Sequence, residues 1–100
     1  MKQRADEFEL LVAEEFLEKS PKLRHIRVRR RADLLILESG NRRDPIAHAR
    51  LRRISAQSWR LEMPRTAGRW APTPFRDDLV ALLETLSRDF AWTLARIDRA

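Results

Sequence analysis

One hundred residues suffice for a single domain with its own core, and a hydrophobic fraction of 43% is ordinary for a globular chain. The absence of cysteine excludes zinc ribbons, iron–sulfur clusters, disulfide staples and thiol nucleophiles, and fits a reducing compartment. The formal charge of +6 is unevenly placed: residues 1–20 carry a net of −3, residues 21–70 a net of +10 and residues 71–100 a net of −1. Most of the cations are arginine, the better group for bidentate contact with phosphate or carboxylate. A genome-wide bias toward arginine codons would give the same excess.

The opening residues Met1 to Glu7 are charged where a secretion signal needs an apolar run. The longest aliphatic stretch, Leu34 to Leu37, is far short of the roughly 20 residues that span a bilayer. The expectation is a cytoplasmic chain with no membrane partner, folded as one domain over residues 1–100.

Lys2 to Lys19 predicts a helix, with Ala5, Phe8, Leu11, Val12 and Phe16 recurring at helical spacing and acids at its start. Ser20-Pro21 ends it. From Leu23 the period changes to two. Arg24, Ile26 and Val28 fall on one side of a strand, with His25, Arg27 and Arg29 on the other. Leu34 to Glu38 reads as a strand covered on both faces. After a loop through Asp44-Pro45, Ile46 to Arg53 alternates Ala47, Ala49 and Leu51 against His48, Arg50 and Arg52. Ser58 to Met63 aligns Trp59, Leu61 and Met63 against Arg60 and Glu62.

Arg69 to Ala71 predicts a short edge strand closed by Pro72. Thr73-Pro74 then resembles the cap and first turn of a helix whose buried stripe is Leu79, Leu82, Leu83 and Leu86. Past Ser87, Phe90, Trp92 and Leu94 alternate as in a strand, while Leu83, Leu86, Phe90, Leu94 and Ile97 would also continue a helical stripe. A break near Asp89 followed by a final strand is the preferred reading. The fold class is therefore α+β: an antiparallel meander sheet of four to five strands, with an N-terminal and a C-terminal helix packed on one face. Leu35, Leu37, Trp59, Leu61, Leu79, Leu83 and Leu86 are expected in the core.

Chemistry-bearing residues are few. His25 and His48 sit on different strands amid arginine and read as ordinary surface histidines, so no metal site and no cofactor are expected. The serines and threonines fall in turns, caps and helix ends. None has a nucleophile-elbow context, and two glycines make no phosphate-cradling loop. No catalytic residue emerges, and the expectation is that the protein is not an enzyme.

What does emerge is a candidate nucleic-acid-binding surface of Arg27, Arg29, Arg50, Arg52 and Arg60 on the sheet face turned away from the helices. Against it stand the lack of exposed aromatics for base stacking and the partial neutralisation offered by Glu38 and Glu62. A solvated face with cross-strand charge pairs is the favoured alternative. Two functions follow: a non-catalytic interaction module with a protein partner or a second copy, or a sequence-independent binder of nucleic acid. The two edges of a five-stranded sheet make self-association the simplest form of the first.

Several motifs between Leu34 and Trp92 resemble an uncharacterised bacterial family, domain of unknown function 3024. They are a strand ending in Glu38, the strand start Pro45-Ile46-Ala47, and Trp59, Leu61 and Arg65. An edge strand with Trp70, a leucine-rich helix from Leu79 to Leu86, and Phe90 with Trp92 complete the set. The sequence departs from that pattern at Glu62 and Met63 and in its Phe-Ala-Trp-Thr ending. The resemblance implies a small bacterial cytoplasmic protein and no mechanism.

Overall fold

A computed structural model describes residues 4–97. The chain runs α1 (Glu7–Glu18), β1 (Arg27–Arg31), β2 (Leu34–Ser39), β3 (Ile46–Ser55), β4 (Ser58–Pro64), β5 (Trp70–Asp77) and α2 (Leu79–Asp89), with 3-10 turns at Pro21–Leu23, Thr66–Gly68 and Ala91–Leu94. The five strands form one antiparallel sheet in chain order, the expected meander, and both helices pack on one face.

Apolar residues of the inner sheet face meet the helices there. Leu35, Leu37, Ala49, Leu51, Trp59 and Leu61 are buried against Ala13, Leu17, Leu79, Leu82, Leu83, Leu86 and Leu94. The seven residues named for the core, Leu35, Leu37, Trp59, Leu61, Leu79, Leu83 and Leu86, are all in it. No helix among the described residues is long and apolar enough to cross a membrane.

The first helix starts at Glu7 rather than Lys2 because Asp6 and Glu9 form a capping box. The Glu9 amide donates to Asp6 Oδ1 at 2.8 Å, and the Asp6 amide donates to Glu9 Oε1 at 3.0 Å. Residues 1–3 of the expected helix lie outside the described residues. Its buried line is Ala13 and Leu17, flanked by Leu10, Val12 and Phe16. Phe8 and Leu11, expected inside, are 73% and 57% exposed. The helix offered two overlapping stripes, and the sheet took only one.

Three expectations along the sheet are corrected. Leu23 lies in a 3-10 turn and Arg24 is exposed, so β1 begins only at Arg27. In β3, Leu37 pairs with Ala49 but Glu38 pairs with Ala47, which leaves His48 as the extra residue of a β-bulge. The bulge turns His48 inward with Ala49 and leaves Ala47 exposed, the reverse of simple alternation. In β5 the strand continues through Pro72 and Pro74 to Asp77. An edge strand tolerates the missing amide donors, and a second irregularity opposite Leu61 is closed by Thr73 Oγ1, which donates to the Leu61 carbonyl at 2.7 Å.

The N-cap of α2 is consequently Asp78, which accepts from the Ala81 amide, and not Thr73. Asp78→Ala should cost about 1 kcal/mol in urea unfolding. An unchanged midpoint would mean that the cap carries no stability. The break near Asp89 is present, but the following segment is a 3-10 turn and not a strand. Leu94 enters the core there, while Trp92 stays exposed. No strand edge was free beside it: β1 and β5 are the edges, and this segment crosses the inner side of β3.

Candidate functional site

The outer face of the sheet follows from the pairing. Cross-strand partners share a face, so Arg31, Leu34, Arg52, Arg60 and Arg76 form one row across all five strands. Arg29, Ile36, Arg50, Glu62 and Pro72 form the next row, and Arg27, Glu38 and Ala47 a third. All five arginines of the sequence-derived surface are therefore on one face. Arg31 and Arg76 were missed, although the same alternation could have placed Arg31. Arg76 depended on the unexpected length of β5.

The carboxylates on this face lie beneath the arginines. Glu38 and Glu62 are each 3% exposed and Asp33 is 6% exposed. Glu62 accepts from Arg50 Nε at 2.6 Å, Arg52 Nε at 3.1 Å and an Arg60 terminal nitrogen at 2.7 Å. Glu38 accepts from Arg29 Nε at 2.9 Å and Arg27 at 3.2 Å, and Asp33 accepts from Arg52 at 2.8 Å. Burial alone would raise the Glu62 pKa, but the hydrogen bonds from Arg60, Arg52 and Arg50 outweigh it and hold the carboxyl at about 2.

For Arg29 and Arg50 the anchoring bond is made by Nε, so the terminal guanidinium nitrogens are left for another acceptor. Arg27 and Arg52 each make two such bonds: Arg27 also donates to the Gly40 carbonyl, and Arg52 bridges Glu62 and Asp33. Gly40 has φ +79°, a left-handed conformation that suits glycine at that turn.

Seven arginines against three carboxylates leave the face with four net positive charges. A shallow trough of about 490 Å³ runs across it, with Ile36 and Ala47 in its floor, Arg29, Arg50 and Arg52 along it and Trp70 at one end. Trp70 is on the edge strand as expected. Its register opposite Pro64, two residues from Glu62, puts it on the outer face, and the Arg50 guanidinium lies 4.5 Å from its ring centre. The outer face therefore does have an aromatic group.

His48 is not the surface residue expected, and His25 is half-buried. His48 is 1% exposed, and its ring meets that of His25 edge-on at 5.9 Å. The Thr93 carbonyl can only accept, so His48 Nδ1 carries the proton that reaches it at 2.7 Å. Nε2 then accepts from the Ser39 hydroxyl, also at 2.7 Å. Thr93 Oγ1 donates back to the His48 carbonyl at 2.8 Å, and His25 Nε2 bonds the Leu94 carbonyl at 2.7 Å.

Ser39, expected in a loop, ends β2 and is 5% exposed. A hydroxyl on a neutral imidazole is the start of a nucleophile–base pair. Here its visible work is to clamp the Ala91–Leu94 turn onto the sheet, and the orienting acceptor is a main-chain carbonyl instead of a carboxylate. Among the described residues no cluster of three or more metal-ligating side chains occurs.

No protein-family model matches the chain, and no curated protein or solved structure is significantly similar to it. The resemblance to domain of unknown function 3024 rests on the motif residues alone.

Proposed function

We propose that this domain is a non-catalytic binding module whose working surface is the outer sheet face, and that the ligand is a nucleic-acid strand held by its phosphates without sequence preference. The observation that supports this most is the layering of charge. Buried carboxylates hold the guanidinium groups in place from below, so a phosphate arriving from solvent meets donors that are already ordered.

The row Arg31–Arg52–Arg60–Arg76 crosses five strands, roughly 20 Å at ordinary strand spacing, enough for about five phosphates of a stacked strand. Trp70 adds one stacking surface. A single strand suits the face better than a duplex, because its unpaired bases are open to stacking on Trp70.

Four phosphate contacts imply a slope of about −3 for log affinity against log salt on single-stranded DNA. Arg31 and Arg76 are exposed and make no ion pair with a described residue. Replacing both with glutamine should leave folding intact and make the slope shallower by about 1.4. Fluorescence anisotropy of a labelled oligonucleotide at several salt concentrations reads this directly. Absence of binding at low salt, or a slope that the double substitution does not move, would leave the face as solvated charge.

A further inference from the structure

The helical side of the molecule is the electrostatic opposite of the sheet face. The first helix contains five glutamates and no basic residue, and its exposed Phe8 and Leu11 lie three residues apart with Val12 beside them. Phe8 and Leu11 make an apolar ridge that the chain's own core leaves uncovered, with the half-buried Val12 at its base. Phe8 and Val12 form one wall of a groove of about 620 Å³, Leu79 and the exposed Val80 form the other, and Trp59 lies in its floor.

Asp6, Glu9, Asp77 and Asp78 rim this groove. Arg53, the one cation in its lining, is already engaged by Glu9 at 2.9 Å and by the Arg4 carbonyl at 2.7 Å. Asp6 lies 3.8 Å from Arg53 yet keeps more than half of its side chain in solvent, and Asp77 is exposed at the rim.

The charge of this surface selects among occupants. A second copy docking helix to helix would oppose glutamate-rich surfaces of the same sign, which costs several-fold or more in affinity. A second copy presenting its arginine face would bring cations, but the apolar groups of that face are recessed: Ile36 is buried and Trp70 is half-buried against the Arg50 guanidinium, so neither projects far enough to enter the groove. An extended strand has no sheet edge here to join, because the edges are β1 and β5. What remains is a segment with bulky apolar side chains on one side and cations beside them.

We propose that the groove between α1 and α2 docks a basic amphipathic helix of another protein, its apolar side chains packed on Phe8, Val12 and Val80 and its cations facing Asp6 and Asp77. This site is independent of the nucleic-acid reading, since it lies on the other side of the sheet.

A labelled peptide of leucine and lysine in amphipathic order tests it, alongside a leucine–glutamate analogue and a scrambled leucine–lysine peptide. The ordered basic peptide should bind, the acidic analogue should not, and scrambling should weaken binding about tenfold or more. Phe8→Ala should weaken the ordered peptide about tenfold. It should leave the thermal melt and oligonucleotide binding unchanged, because the Phe8 ring is exposed. Asp77→Asn, which keeps the acceptor for the Asp78 amide, should weaken binding a few-fold, with the loss shrinking at high salt. Equal binding of all three peptides, or binding indifferent to Phe8→Ala, would overturn the proposal. So would self-association in light scattering that Phe8→Ala abolishes, because a second copy would then be the occupant.

Discussion

Glu62→Gln is expected to destabilise the folded chain by about 3 kcal/mol at neutral pH, a fall in Tm of roughly 15 °C for a domain of this size. The carboxylate is 4% exposed and anchors Arg50, Arg52 and Arg60. Removing one partner of a buried ion pair leaves the other charges uncompensated. These arginines keep 17–25% of their side-chain surface in solvent and can turn outward, which places the loss at the low end of the range for buried pairs.

The pH dependence supplies an independent check. The folded-state pKa of Glu62 is about 2 against an ordinary 4.5. Its contribution is therefore complete above pH 4.5 and is lost as pH falls from 4.5 toward 2, because the unfolded chain takes up a proton that the folded chain refuses. The difference between wild type and Glu62→Gln should narrow across that window in urea titrations. A gap of constant size would show that the variant acts through packing rather than charge.

His48→Ala should cost a similar amount, about 3 kcal/mol. It removes a buried ring and strips a partner from two buried groups, the Ser39 hydroxyl and the Thr93 carbonyl. Burial in the first place, with help from the neighbouring His25 ring, holds the His48 pKa below 6.5 against the opposing pull of the Thr93 carbonyl.

As pH drops through 6.5, unfolded molecules gain a proton on His48 while folded molecules do not. Stability therefore declines from that point until the folded imidazole itself protonates. Wild type should show this limb on acidification below pH 6.5, and His48→Ala should lack it. Retention of the full limb in the variant would assign it to another group. Because His48 and Glu62 share no hydrogen-bond partner, a double variant should lose both contributions, each by its own amount.

The proposed binding surface and the stability of the sheet are linked through the same carboxylates. Glu38 and Glu62 lower the net charge of the outer face, yet they also order the guanidinium groups that would meet a phosphate. A variant that removes Glu62 raises the formal positive charge and at the same time frees Arg50, Arg52 and Arg60 to move. Oligonucleotide affinity in Glu62→Gln therefore weighs net charge against preorganisation.

Local pattern was enough for the meander, the helices on one face, and the buried set around Trp59, Leu61 and the α2 leucines. Period-two and period-3.6 patterns report which side of a local element is apolar, and consecutive hairpins leave few other topologies. It also placed Arg27, Arg29, Arg50, Arg52 and Arg60 on a common face, because alternation needs only the strand and its direction.

The remaining features depend on pairing and packing between distant segments. A bulge at His48 is a one-residue defect in pairing with β2, invisible in β3 alone, and it turned an expected surface histidine into the buried partner of Ser39 and Thr93. Phe8 and Leu11 fit a helical stripe as well as Ala13 and Leu17 do. The angle at which α1 meets β1 and α2 chose between them and left the first pair exposed. Trp70 and Arg76 reached the outer face through the register of an edge strand whose prolines suggested an early end. In each case local pattern named the residue types, while long-range pairing, which no local window contains, decided which way they point.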